Sequence, residues 1–284
     1  MLDFIGMVIT ATLMVLVINT LITFMDVPRV AKVTLAAVFG VWIGLAAAAA
    51  GAGWLLISRP VPVVGLFVAV PLLAAALATA WPAAREAMLR IPMPVMVALN
   101  IVRVFAVLFL VLAAEGRLTG PFPYSAAWGD IITGVVAVAV LWLLKDGAAR
   151  HTTAIAAWNL FGAADLVLAI AFGITSVEGS PLQFFPGPGS DAMQHAPWSF
   201  VPTVLVPIWL ILHAIIALQL RRAKMGQAAS WSPERAGNPG WRKSFGPEPT
   251  GGHFNEDTPD RLAAGVGGCA PATARKGEGV DPRP

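Results

Sequence analysis

At 284 residues, 57% hydrophobic and only 12% charged, with a mean hydropathy of +0.74, the chain lies outside the composition of soluble domains, about a quarter of whose residues are charged. Its net charge of +3 is not a nucleic-acid footprint, because the basic residues cluster at the ends of apolar runs, where membrane orientation accounts for them. A single cysteine, Cys269, excludes an intrachain disulfide and a cysteine-based metal cluster, and neither a nucleic-acid partner nor a metal site is expected.

The apolar runs instead predict an all-α membrane protein whose main partner is the lipid bilayer. Crossing about 30 Å of hydrocarbon takes roughly 20 apolar residues. Seven stretches of the chain meet that length, at about 4–25, 33–56, 61–81, 93–113, 126–144, 152–174 and 199–220. The first is too long, and lacks the positive leader, to be a cleavable signal, so it is expected to be retained as a span. Short charged or Pro-containing connections separate the runs, and one long one extends from Ser176 to Trp198.

Lys and Arg in alternate connections are counted nine to two. The rich set is Arg29, Lys32, Arg85, Arg90, Lys145, Arg150, Arg221, Arg222 and Lys224, and the poor set is Arg59 and Arg117. This bias predicts the N-terminus outside and the C-terminus in the cytoplasm, which an odd number of spans requires. Trp54, Trp81, Trp128, Trp142 and Trp198 fall near span ends, where an aromatic belt is expected. Pro71, Pro202 and Pro207 lie within spans three and seven and should bend them. The small-residue run LAAAAAGAG at 45–53 reads as helix-packing surface. The membrane domain is placed at residues 1–224 and a cytoplasmic tail at 225–284. The tail has seven basic and seven acidic residues and no apolar periodicity, so disorder is expected, with Trp231, Trp241 and Phe245 as candidate short docking contacts.

Charges inside the spans carry the functional lead. A charge at mid-bilayer costs roughly 2.5–3.5 kcal/mol on insertion scales and normally faces a partner in the protein interior. Helical rise places Arg103 on span four about 15 Å, and Asp165 on span six about 20 Å, from the cytoplasmic side, within reach of one another. Asp130 on span five comes out only about 6 Å below the outer surface, which makes it a secondary partner. A second layer, about 8–11 Å from the inner surface, holds Asn19, Asn100, Asn159 and His213. Spans four to seven are expected to line this polar core.

The segments RVFAVLFL, EGRLTGPFPYSAAWGD and AWNLFGAADLVLA resemble a pattern found in uncharacterised bacterial seven-span integral membrane proteins. In that pattern an arginine-bearing span leads to a W-G-D helix start and then to a W-N-x-x-G-x-x-D span. Here the matching residues are Arg103, Gly129, Asp130, Trp158, Asn159, Gly162 and Asp165. The resemblance implies a multi-pass protein of a bacterial cytoplasmic membrane and no particular activity.

No cofactor is assignable. A retinal carrier needs a lysine within span seven and a di-haem cytochrome needs paired intramembrane histidines, whereas only His213 lies inside. Nucleotide, zinc-hydrolase and nucleophile-elbow motifs are absent. Three readings stay open: binding or transport of a small solute, ion or proton in the polar core; a structural or assembly role in which polar residues only fix helix packing; and an intramembrane enzyme or redox-cofactor protein. Oligomeric state is not readable.

Overall fold

The computed structural model describes residues 1–148 and 150–230, with side chains to 224; the expected tail, with Trp231, Trp241 and Phe245, lies beyond the described residues from 231 onward. Among the described residues all regular structure is helical. Helices α1 (Leu2–Phe24), α2 (Arg29–Gly51), α3 (Val63–Ala78), α4 (Pro82–Leu89), α5 (Met93–Ala98), α6 (Val107–Ala114), α7 (Phe122–Lys145), α8 (Thr152–Thr175) and α9 (Val206–Ser230) follow in order. A 3-10 segment, Ile101–Ala106, joins α5 to α6, and a π turn, Val201–Leu205, leads into α9. Six of the resulting segments are long and apolar enough to cross a membrane, and a seventh joins them if the bent pair α3–α4 counts as one span. The chain is therefore built as a multi-pass membrane protein. Its periphery agrees, with Phe4, Val30, Leu73, Leu77 and Leu160 all more than 60% exposed, a display that soluble monomers rarely tolerate.

The third span departs most from expectation. Its helix has 16 residues, or about 24 Å of rise, and then turns by 106° into α4, which starts with Pro82 at its first position. Proline fits a first turn because that N–H has no helical acceptor in any case. Helix α4 caps one end of the bundle, here called the basic end. There Arg90 pairs with Asp26 at 3.0 Å and Arg222 with Glu86 at 3.1 Å. Gln219 donates to the carbonyls of Leu89 and Ile91 and ties α9 to this corner.

At the opposite end the long connection folds back over the bundle. Thr119 and Gly189 exchange hydrogen bonds at 2.9 Å, and Ser190 donates to the Gly173 carbonyl at 2.6 Å. Gly189 has φ of +48°, and a Cβ there would overlap the Ser176 carbonyl, so only glycine suits the position. Trp198, expected in an aromatic belt, is instead 1% exposed and donates to Asp3 at 2.7 Å. It plugs this end of the core, and its ring lies against Gly6, where a Cβ would come within 2.7 Å. The other four tryptophans of the expected belt are all more than half exposed.

The prolines near α9 act through the backbone. Pro207 has no N–H, so the carbonyl of Thr203, four residues earlier, loses its helical donor. The indole N–H of Trp42 on α2 fills that place at 2.9 Å. Helix α2 is otherwise loosely held, with only Ala46 and Ala49 buried. Most of the LAAAAAGAG run therefore faces outward instead of packing.

Candidate functional site

The fourth span brings its polar residues together by changing helix type. Arg103 N–H bonds to the Asn100 carbonyl, three residues back, at 3.1 Å. Three residues per turn stack i and i+3 directly over one another, so the Asn100 and Arg103 side chains share one direction. Both are almost wholly buried.

Arg103 has five N–H donors, and each finds an acceptor. Nε–H reaches Asp130 Oδ1 at 2.6 Å, and Nη2 reaches Asp165 Oδ2 at 2.8 Å and the Gly162 carbonyl at 3.4 Å. Nη1 supplies Asn100 Oδ1 at 3.2 Å and His213 Nε2 at 3.0 Å. The Trp209 ring lies 5.8 Å from the guanidinium carbon, within cation–π range. Four spans thus converge on one planar fork: α5 with its 3-10 extension, α7, α8 and α9.

Because arginine only donates, His213 Nε2 has to present its lone pair. The imidazole is then neutral with its proton on Nδ1, which faces Asn159 Oδ1 at 2.9 Å. Asn159 closes the circuit by donating from Nδ2 to the His213 carbonyl at 3.0 Å. This pairing also settles the Asn159 amide orientation, since a flipped amide would set donor against donor. Asn100 is held in the same way, its Nδ2 donating to the Met96 carbonyl at 2.9 Å.

Glycines make the approach possible. A methyl on Gly129 would overlap the Asp165 carboxylate, and one on Gly162 would come within 2.6 Å of the His213 ring. At Gly134 it would meet Val104 Cγ1 at 2.9 Å and the Ile101 carbonyl at 3.0 Å, so α7 lies directly against the 3-10 segment. Trp158 donates to the Thr133 carbonyl at 3.0 Å and sets its ring 5.5 Å from that of His213. Gly129, Asp130, Trp158, Asn159, Gly162 and Asp165 of the two motifs therefore belong to one construction, each glycine making room for the side chain opposite, whereas Trp128 is more than half exposed.

Charge and access complete the picture. Each carboxylate uses one oxygen on Arg103, and no donor among the described residues faces Asp130 Oδ2 or Asp165 Oδ1. Two carboxylates against one guanidinium leave one uncompensated negative charge when both are ionised. Asp130 is also the one ionisable residue lining a cavity of about 60 Å³ between α3, α7 and α8, room for a few waters or a small solute. Its walls are apolar, with Val68, Phe122 and Leu166 among them, and Ser190, Met193 and Gln194 of the long connection form its roof. Behind the roof, Asp191 accepts from Gln194 Nε2 and from the Glu178 N–H. Burial pushes its carboxyl above the usual range.

Of the residues singled out in the sequence, the structure joins Arg103, Asp165, Asp130, Asn100, Asn159 and His213 in one network. Asp130 is no secondary partner: α7 starts at Phe122, a turn earlier than expected, which sets the carboxylate about 12 Å into the helix. Asn19 is not part of the network. It lies on an exposed face of α1, which the matching depth could not reveal. Sequence reasoning missed the Gly162 carbonyl and Trp209 as partners of Arg103. Spacing held a partial signal for Trp209, which is four residues from His213 and so on the same helical face.

The model of a family described as a domain of unknown function, DUF8737, matches residues 60–221 of the chain. All six networked residues fall within the match, whereas α1 and α2 lie outside it. No curated protein and no solved structure matches the chain.

Proposed function

The chain belongs to the DUF8737 family, and from that premise we propose a multi-pass protein that binds and relays a proton within the membrane, through Asp130 and Asp165, coupled to a small solute in the adjoining cavity. The observation that carries this reading is the double position of Asp130, paired to Arg103 on one side and lining the cavity on the other. The excess carboxylate makes the cluster a receptor for positive charge and not for an anion, because every Arg103 donor already has an acceptor. A proton suits it better than a metal ion. Hard cations take six or more oxygen ligands, and the cavity offers Asp130 with only Ser190 and Gln194 at its far end. With the basic end toward the cytoplasm of a bacterial inner membrane, as the nine-to-two bias suggests, the cavity opens outward. Intramembrane carboxylates of this kind are the usual components of proton relays.

The test is infrared spectroscopy of the protein in lipid bilayers as pH is varied. The carbonyl stretch of a protonated carboxyl is expected to titrate, and to be lost or displaced in Asp130→Asn. Absence of any titrating carboxyl band, or a band identical in Asp130→Asn and Asp165→Asn, would overturn the proposal. A structural reading has one observation of its own, the complete satisfaction of Arg103. It expects the charge swap Arg103→Asp with Asp165→Arg to retain both fold and cellular phenotype. A folded swap without the phenotype rejects it.

A further inference from the structure

Beyond the polar core, a cleft of about 700 Å³ lies between α2 and α3, floored by α9. Its walls include Phe39, Trp42, Pro71, Ala74, Ile208 and Ile211, and its polar lining is confined to Thr34. The Thr34 hydroxyl is already spent on the Val30 carbonyl at 3.0 Å. Water needs two to four polar partners to settle in a cavity, so neither water nor a polar solute suits this one. The lining of α2 runs from Thr34 to Trp42, about 12 Å of helix, close to the thickness of one leaflet of hydrocarbon. The cleft therefore has the chemistry and depth of a single-leaflet acyl chain.

The charges at its mouth say which lipid. At the basic end two exposed cations are neutralised, Arg90 by Asp26 and Glu86, and Arg222 by Glu86. Three nearby cations have no acidic partner among the described residues. Lys32 donates only to the Thr23 carbonyl, and Arg29 and Arg85 make no ion pair. Arg29 lies five residues beyond Thr34, about 7–8 Å further along α2. Arg85 lines a smaller cavity of about 130 Å³ that shares Ala75, Met88, Ile211 and Ile215 with the cleft. We infer that the cleft between α2 and α3 is a binding site for an anionic phospholipid, with an acyl chain against Trp42 and the headgroup phosphate held by Arg29 and Arg85.

Trp42 supplies the readout, since a brominated acyl chain quenches an indole that it touches. The full-length protein is reconstituted in bilayers doped with brominated phosphatidylglycerol or brominated phosphatidylcholine, and the Trp42 component is isolated by subtracting the Trp42→Phe variant. The anionic lipid is expected to quench Trp42 at lower mole fraction than the choline lipid. Each cation near an anionic surface is worth roughly five-fold. The double variant Arg29→Gln with Arg85→Gln changes only exposed side chains and is expected to make the two lipids equivalent. Equal quenching by both lipids in the unmodified protein would mean ordinary boundary lipid and would overturn the inference. So would an anionic preference that survives the double variant, or quenching that is unchanged in Trp42→Phe.

Discussion

Replacing Arg103 by lysine keeps the charge and removes the fork. The guanidinium serves five acceptors from one plane, whereas an ammonium carries three donors on a single atom. At least two acceptors then lose their partner inside a buried cluster, and the geometry favours losing one of the carboxylates. Two unsatisfied buried groups cost about 1–3 kcal/mol each, and breaking a buried ion pair costs about 3–5 kcal/mol. Ordinary interhelical hydrogen bonds in membranes average only about 0.6 kcal/mol, so two of them would account for roughly 1 kcal/mol. Arg103→Lys is therefore expected to lose about 3–5 kcal/mol. Reversible unfolding in mixed micelles would measure it, with Trp209 and Trp158 as reporters close to the cluster. A loss of about 1 kcal/mol or less would refute the idea that one fork holds four spans together.

Gly129→Ala is expected to destabilise by about 1–3 kcal/mol or more through overpacking, because the new methyl overlaps the Asp165 carboxylate. Gly40→Ala on α2 meets nothing within 4 Å and should be neutral or stabilising by up to about 1 kcal/mol through helix propensity; the same unfolding measurement decides both. In the long connection, burial raises the folded-state pKa of Asp191. Its contribution to stability is thus fully present below the unfolded carboxylate value of about 3.9 and is lost as pH rises through the raised folded value. Asp191→Asn keeps the Oδ1 acceptor and is expected to flatten the pH dependence of protease access to residues 176–200. An unchanged profile would remove Asp191 as its source.

Six of the seven expected spans could be read from hydropathy because crossing hydrocarbon constrains length so strongly, the third being the bent pair α3–α4. The Arg103–Asp165 pair was legible too, since helical rise converts sequence position into depth. Depth fixes one coordinate only. Asn19 matches the depth of Asn159 and His213 yet lies on the wrong side of α1, because nothing in an evenly apolar helix marks its inward face. Asp130 was misjudged for a different reason. The Pro121 and Pro123 pair reads as a loop, although proline is at home in the first turn of a helix, and the error moved the carboxylate by about one turn. Trp198 shows the same limit for aromatics, since span-end position does not separate a belt tryptophan from a buried plug. The glycines carried more information than their count suggested. Gly129, Gly134 and Gly162 each mark a close approach that hydropathy cannot register.

The 3-10 segment Ile101–Ala106 also makes the fourth span a screw. A 3-10 residue advances about 2.0 Å and turns about 120°, against about 1.5 Å and 100° in an α-helix. Rewinding these six residues as α-helix would shorten the span by about 3 Å and rotate α6 against α5 by about 120°. Arg103 lies halfway along the segment, so its guanidinium would swing by about 60°, off both carboxylates. Charge pairing in the core and the length of the span are thus geometrically linked through the winding of six residues.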